Sequence, residues 1–349
     1  MPTVAGGSAV NRQRVTGCPP SRVQAAAVSN HLHARPHHRL LVVGGGPAGV
    51  AAATAAARAG CRVLLAERAR HLGGQLALAG RAMAHREIWQ RWLAWAEAEL
   101  AEVAVEVTTN TRIVKEDCAS WDRVVVATGA RPAGPLPELP GRIAVVDAWS
   151  AIIRPAPLRG SLVVLDREGG WSALDAAEVL ATHGHAVCMV TEESAPGHLL
   201  RQHEQSAYLS RLDALAVRVL PHSKLIIDRN GDPRAVLHDL HSGASSPLAD
   251  HVGAVVVASG RTSECRLWSE LTSMPNVQRV GDAVEPRCLE DAIIEGTRAL
   301  QPLHPPGGPA AVRRHGCGRR TGIGGDADAR PRPQQATSMW QQRACEGCR

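Results

Sequence analysis

The sequence predicts an α/β chain of about two domains, each a mostly parallel sheet with helices on both faces. Three observations carry this. The chain has 349 residues, against roughly 100–200 per domain. Apolar residues make up 44% and charged residues 21%, which suits a globular chain and excludes collagen-like, coiled-coil and wholly disordered classes. There is no Phe and one Tyr, so the cores must be built from Val, Leu, Ile and Ala, the usual filling of buried parallel strands.

Apolar strand-like runs alternate with helical stretches. Strands are expected at Leu40–Val43, Arg62–Ala66, Arg123–Ala127, Ser161–Leu165, Ala186–Val190, Ala254–Ala258 and Val277–Val280. Helices are expected at Pro47–Ala59, Arg86–Glu102, Ser172–His183, Ser206–Leu215 and Leu289–Leu300. The alternation starts near 39 and again near 160, which predicts two domains in tandem or nested.

The ends differ from the body. Residues 1–39 hold five Arg and no acid, and residues 298–349 hold nine Arg and three acids, so residues 40–297 carry −5 within a total of +6. Both ends lack apolar periodicity and are expected to be disordered, basic tails, at 1–38 and 302–349. No aromatics interleave with their Arg residues, so solvated ends are favoured and no nucleic-acid partner is expected. The tract His31–His38 lacks neighbouring acids or Cys and reads as linker. Cys345-Glu-Gly-Cys348 has neither a strand–helix context nor a second pair, so no metal site is expected. The nine Cys are odd in number and scattered, and no apolar signal-peptide core opens the chain, so a reducing, cytoplasmic setting is expected. Glycines and a proline interrupt the apolar run 40–57, so no membrane span is expected.

The chemistry starts after the first strand. Leu40-Leu-Val-Val43 leads into Gly44-Gly45-Gly46-Pro47-Ala48-Gly49 and an Ala-rich helix. The next strand ends at Glu67, 23 residues after Gly44. Strand, glycine loop, helix and acid in this register form a dinucleotide-binding fingerprint. Gly44 permits the tight turn, Gly46 lets backbone approach a pyrophosphate, and Gly49 lets helix and strand pack closely. The helix N-terminus offers free N–H groups to phosphate. Glu67 would accept from ribose hydroxyls and repel a 2′-phosphate.

Further motifs narrow the reading: Glu67-Arg68 followed by Gly73-Gly74-Gln75-Leu76, then Ala127-Thr128-Gly129, then Gly281-Asp282 followed by Pro286-Arg287. These resemble the FAD-binding elements of two-dinucleotide-fold flavoproteins. With Ser259-Gly-Arg-Thr-Ser-Glu-Cys-Arg-Leu-Trp268, they resemble the C-terminal half of the old-yellow-enzyme-like NADH:flavin oxidoreductases. That family includes 2,4-dienoyl-CoA reductase and trimethylamine, histamine and betaine-type amine dehydrogenases or demethylases. The resemblance covers about residues 38–300. It implies two Rossmann-like (FAD/NAD(P)-binding) domains, the second inserted into the first: 39–155 and 259–301 for FAD, 156–258 for a NAD(P)-binding-like domain. It implies that Gly281-Asp282 lie by the ribityl chain, that Ala127-Thr128-Gly129 line the cleft, and that Gly74-Gln75-Leu76 pass the pyrophosphate and flavin.

Family members begin with a TIM barrel binding FMN and substrate, followed by cysteines of an iron–sulfur cluster. The residues before the first strand cannot hold such a barrel, and Cys18 alone cannot make a cluster. A separate FMN and iron–sulfur barrel subunit is therefore the implied partner.

The second unit reads Leu162–Leu165, Asp166-Arg-Glu-Gly169-Gly170-Trp171-Ser172, then a helix. Its fingerprint is degraded. Trp171 stands where a small residue is expected, and Asp175 is expected to add negative charge to the helix's first turn, where phosphate would lie. Any NAD(H) site here is weak, and Glu192 and Glu193 after the next strand would favour NADH over NADPH. The alternative is a structural half-domain.

No catalytic residue is assigned. No Cys pair follows Gly73-Gly74, which disfavours a disulfide-reductase mechanism. Trp89, Trp92 and Trp95 are expected to pack in the core, Cys188 and Cys265 to be small buried hydrophobes, and His183 and His185 to lie at the surface. The chemistry read is that of an FAD-dependent oxidoreductase module. The alternatives are a non-catalytic ADP- or FAD-binding module of an amine-oxidising complex, or a truncated remnant of such an enzyme.

Overall fold

The computed structural model describes residues 38–134, 143–228, 234–248 and 252–300. The two tails, Cys18, the pair Cys345 and Cys348, and all but the last residue of the His31–His38 tract lie outside them.

The first sheet has five parallel strands. At its centre β1 (Arg39–Val43) pairs with β2 (Arg62–Ala66) on one side and β4 (Arg123–Val126) on the other. Beyond them lie β3 (Glu106–Thr108) and β15 (Val277–Arg279). Leu40 and Val42 face a core shared with α1 (Pro47–Arg58) and α3 (Met83–Glu102), against which Ala292 of α8 (Leu289–Arg298) also packs. Leu41 and Val43 face the opposite core, with α7 (Arg266–Leu271). Both faces are buried, which is why β1 reads as a continuous apolar run rather than an alternating one.

The second sheet is also parallel, in the order β6 (Ala144–Asp147), β13 (Val252–Ala258), β7 (Ser161–Asp166), β8 (Val187–Thr191), β9 (Arg218–Leu220). One face carries α4 (Ala148–Ile153), α5 (Trp171–Thr182) and α6 (Gln202–Ala214). The other departs from the expected layer of helices. It is covered by an antiparallel meander of β10 (Ser223–Asp228), β11 (Arg234–Asp239) and β12 (Ser245–Pro247), with Leu225, Ala235 and Leu248 packed on Val163, Leu165 and Val255. The expected 155/156 limit also cuts differently from the sheets: β6 pairs with β13, and α4 packs on α5. An antiparallel ribbon of β5 (Ala130–Pro132) and β14 (Arg261–Ser263) joins the two folds.

The folds also meet through α3, whose first turn no residue of its own caps. Glu178 of α5, fully buried, accepts from the Ala84 N–H at 3.1 Å and from Arg211 Nε at 3.0 Å. A carboxylate from the second fold thus caps a helix of the first. Beside it, Asp175 accepts from Tyr208 Oη and lies 3.1 Å from His85 Nδ1, and His85 and Tyr208 both pack on Trp171. Burial, with Asp175 adjacent, pushes the Tyr208 phenol well above its ordinary value.

This corrects the expectation for Asp175. It stands in the second turn of α5, 3% exposed and turned toward Tyr208 of α6, rather than in the phosphate-facing first turn. Of the three tryptophans only Trp92 is buried, whereas Trp95 is 37% exposed. A three-residue spacing advances 300° per step on a 3.6-residue helix, so Trp89, Trp92 and Trp95 drift across the helix face. Cys188 and Cys265 are half-buried rather than buried. His183 is exposed, and the half-buried His185 contacts the Pro155 carbonyl oxygen at 3.1 Å.

Replacing Glu178 with Ala leaves the Ala84 N–H and the Arg211 guanidinium without their carboxylate, a loss of about 2–4 kcal/mol. Urea unfolding is expected to show a lower midpoint at unchanged m-value, and an unchanged midpoint would refute the capping role.

Candidate functional site

The loop between β1 and α1 is shaped by two close approaches. Gly44 has φ +113°, and a Cβ there would lie 2.3 Å from the Ala127 carbonyl oxygen. A Cβ on Gly49 would lie 1.8 Å from the Gly44 carbonyl oxygen. Only glycine lets α1 press this closely on the loop and aim its N-terminus over the end of β1. Gly46 is different: a Cβ there would meet nothing within 4 Å. Pro47 opens the helix and no side chain caps it, so the first-turn N–H groups of Ala48 and Gly49 lack intrahelical partners.

Glu67 lies beneath this loop, 6% exposed. Its Oε2 accepts from the Gly45 N–H at 2.6 Å and its Oε1 from the Ala69 N–H at 2.7 Å. The following segment folds back, with the Gly73 N–H donating to the Gly45 carbonyl at 2.8 Å. A Cβ on Gly74 would lie 3.4 Å from Gly46 Cα, and one on Gly129 would lie 3.9 Å from Gln75 Nε2. Gly281 faces Ala48, where a Cβ would lie 2.6 Å from the Ala48 methyl group. Gln75 Nε2 donates to Asp282 Oδ2 at 2.8 Å. Thr128 donates to the Glu264 carbonyl at 2.9 Å and follows Ala127, whose N–H donates to Val43.

The loops named from sequence therefore converge at the carboxyl ends of β1 and β4, where nucleotides bind in open α/β sheets. Arg68 is exposed at the rim, and Leu76 packs against the core. Sequence reasoning missed Arg261. Its Nη1 donates to Gln75 Oε1 at 2.9 Å and to Asp282 Oδ2 at 3.0 Å, and its Nη2 to the Arg287 carbonyl at 3.1 Å. The residue stood inside a quoted motif, but nothing in spacing shows that β14 carries it across to Asp282. Glu295 was also missed: it pairs with Arg287 and accepts from the Gly281 N–H at 2.9 Å.

The corresponding loop of the second fold is filled by the chain's own carboxylates. Asp166 is 5% exposed, and it accepts from the N–H groups of Gly169 at 2.8 Å, Gly197 at 2.7 Å and Glu168 at 3.2 Å. Glu168 accepts from the Ser172 N–H in the first turn of α5 at 2.9 Å. The His198 ring lies against Gly169, 2.3 Å from where a Cβ would stand. Glu192 is exposed and paired with Lys224 at 3.4 Å.

A family pattern described as pyridine nucleotide-disulphide oxidoreductase matches residues 38–274. The chain belongs to this family. Membership places it among oxidoreductases with FAD- and NAD(P)-binding domains. It is 30% identical over 209 residues to an NADH oxidase of Thermoanaerobacter brockii, covering 55% of this chain and 32% of that protein. It is 30% identical over 261 residues to an N,N-dimethylglycine/sarcosine dehydrogenase of Chromohalobacter salexigens, covering 68% and 37%. Among solved structures, histamine dehydrogenase from Rhizobium sp. 4-9 superposes with TM-score 0.68 at 26% identity, over 78% of this chain and 45% of that one. The resemblance drawn from the motifs therefore holds. The chain spans about a third of the length of the two curated relatives.

The family's name refers to disulphide chemistry. Five cysteines are described, Cys61, Cys118, Cys188, Cys265 and Cys288, and of these Cys118, Cys188 and Cys288 are free thiols. Burial pushes Cys118 up to about 11 and raises Cys61, Cys188 and Cys288, so these four resist forming the reactive thiolate. Among the described residues no cluster suits a metal ion, and no helix is long and apolar enough to cross a membrane.

The two glycines make opposite predictions. In cofactor-stripped protein, Gly49→Val drives a side chain into backbone and is expected to cost on the order of 3 kcal/mol or more, whereas Gly46→Val enters open space in an extended backbone and leaves the thermal midpoint near wild type. Scanning calorimetry of both variants checks the pair, and equal losses would contradict the loop geometry.

Proposed function

We propose that the chain is the flavin-holding module of an FAD-dependent oxidoreductase, moving hydride or electrons between FAD and NAD(P)H or a partner's redox centre. The observation that carries the reading is the uncapped N-terminus of α1 over an open Gly46, ringed by Gly74, Gln75, Gly129 and Asp282. Here the residues fit the cofactor. Gly46, Ala48 and Gly49 would hold the pyrophosphate by backbone N–H groups and the helix dipole. Pro47, which has no N–H to offer, sets the helix start. Glu67 retains acceptor capacity for the adenosine ribose beyond its two backbone donors. Gln75 and Asp282 would meet the ribityl chain, with Thr128, Gly129 and Gly281 as walls. When bound, FAD supplies the hydride and electron transfer, and these residues bind and orient it.

The second fold supports a scaffold role. The N–H groups that would receive a nicotinamide dinucleotide's pyrophosphate already serve Asp166 and Glu168, and a phosphate there would face two carboxylates. The same observation favours the second reading, a non-catalytic ADP- or FAD-binding module. In either case a partner would supply the substrate site. The dehydrogenase relatives suggest an amine-oxidising one, and the family resemblance a barrel subunit carrying FMN and an iron–sulfur cluster.

Gly46→Val would fill the space above the helix end. It is expected to weaken FAD binding at least a hundredfold in a fluorescence titration of folded protein, and wild-type affinity in this variant would sink the assignment. In stopped flow, a scaffold role for the second fold predicts that the FAD-loaded chain is reduced by NADH or NADPH no faster than free FAD. Rapid reduction by either would show that the second fold accepts a nicotinamide cofactor, with NADH preferred if Glu192 and Glu193 read the ribose.

A further inference from the structure

We propose that Arg261 is the positioning residue that makes this cradle select the whole flavin dinucleotide over its ADP half. The inference rests on the FAD reading above and concerns the end of the cradle that ADP alone would leave empty.

Asp282 is the acceptor best placed for a polyol chain, but its side chain is only 10% exposed. A carboxylate so enclosed is costly unless a cation and hydrogen bonds compensate it. Arg261 supplies the cation, 3.0 Å from Oδ2, while the Arg287 N–H donates to Oδ1 at 3.2 Å. The same guanidinium nitrogen donates to Gln75 Oε1 at 2.9 Å, which turns the amide so that Nε2 points at Asp282. Its other terminal nitrogen holds the Arg287 carbonyl at 3.1 Å. One planar fork therefore fixes three separate segments: the first residue of α2 (Gln75–Ala79), the turn holding Asp282, and the stretch leading into α8.

Two features separate this from simple surface pairing. Arg261 comes from the β5–β14 ribbon that joins the two folds, so the cradle is complete only when the ribbon is in register. The fork uses the geometry of a guanidinium, which an ammonium cannot reproduce with one nitrogen. By contrast, the groups proposed to hold the ADP half lie in the α1 loop and at Glu67, whereas Arg261 donates to Gln75, Asp282 and Arg287.

The test is titration of the cofactor-stripped full chain with FAD and, separately, with ADP, for wild type, Arg261→Gln and Arg261→Lys, with thermal midpoints recorded alongside. The expected result is a loss of FAD affinity of at least tenfold in Arg261→Gln, partial recovery in Arg261→Lys, and ADP affinity within about twofold of wild type in both. Equal weakening toward FAD and ADP would show a general structural role and overturn the proposal, as would unchanged FAD affinity. If wild type binds ADP but gains nothing from the flavin half, the selectivity proposal fails while the nucleotide site stands. If wild type binds neither, the FAD reading fails and the proposal with it.

Discussion

The contact on which the first fold turns is the approach of Gly49 to the Gly44 carbonyl. A single methyl group there would overlap backbone, so this contact sets how far α1 descends onto the sheet. The neighbours of α1 then follow. Gly296 of α8 faces the Ala48 carbonyl, where a Cβ would lie 2.2 Å away, and Gly281 faces the Ala48 side chain. A helix squeezed from several sides must be narrow, which explains the run Ala51-Ala52-Ala53-Thr54-Ala55-Ala56-Ala57. The same descent leaves the N-terminal N–H groups bare at the mouth of the cleft, so close packing and anion binding come from one geometry.

The two folds share parallel sheets and β–α–β order but differ in their loop chemistry. In the first, glycines keep the loop empty and Glu67 grips it from below. In the second, Asp166 and Glu168 grip the loop from the position where a ligand would come, and His198 covers it. The second fold adds rigidity instead. Its Glu178 caps α3, and its buried Asp175 ties Tyr208 of α6 to His85 of the first fold. A buried carboxylate of this kind is stable only with its partners in place, so each of these contacts favours the two folds meeting as they do here.

Much of this was legible in the sequence because it rests on local rules. The glycine fingerprint, the central strands and the long helices appear within a few residues of their expected limits, since each has a strong period or a required glycine. Three-residue strands such as β3, β5 and β9 carry no period and were missed. The β10–β12 meander was hidden because the apolar runs of β10 and β11, Leu225–Ile227 and Ala235–Leu237, are short and do not alternate. Asp175 was misread because its role depends on which face of α5 meets α6, and Arg261 because its partners are 186 and 21 residues away. Tertiary hydrogen bonds of this kind leave no spacing to read.

The central claim is that the first fold carries FAD. The most direct measurement is chromatographic identification of the nucleotide released by heat from full-length protein purified without added cofactor. The account predicts FAD, approaching one equivalent per chain. Release of no flavin, or of FMN in place of FAD, would contradict it.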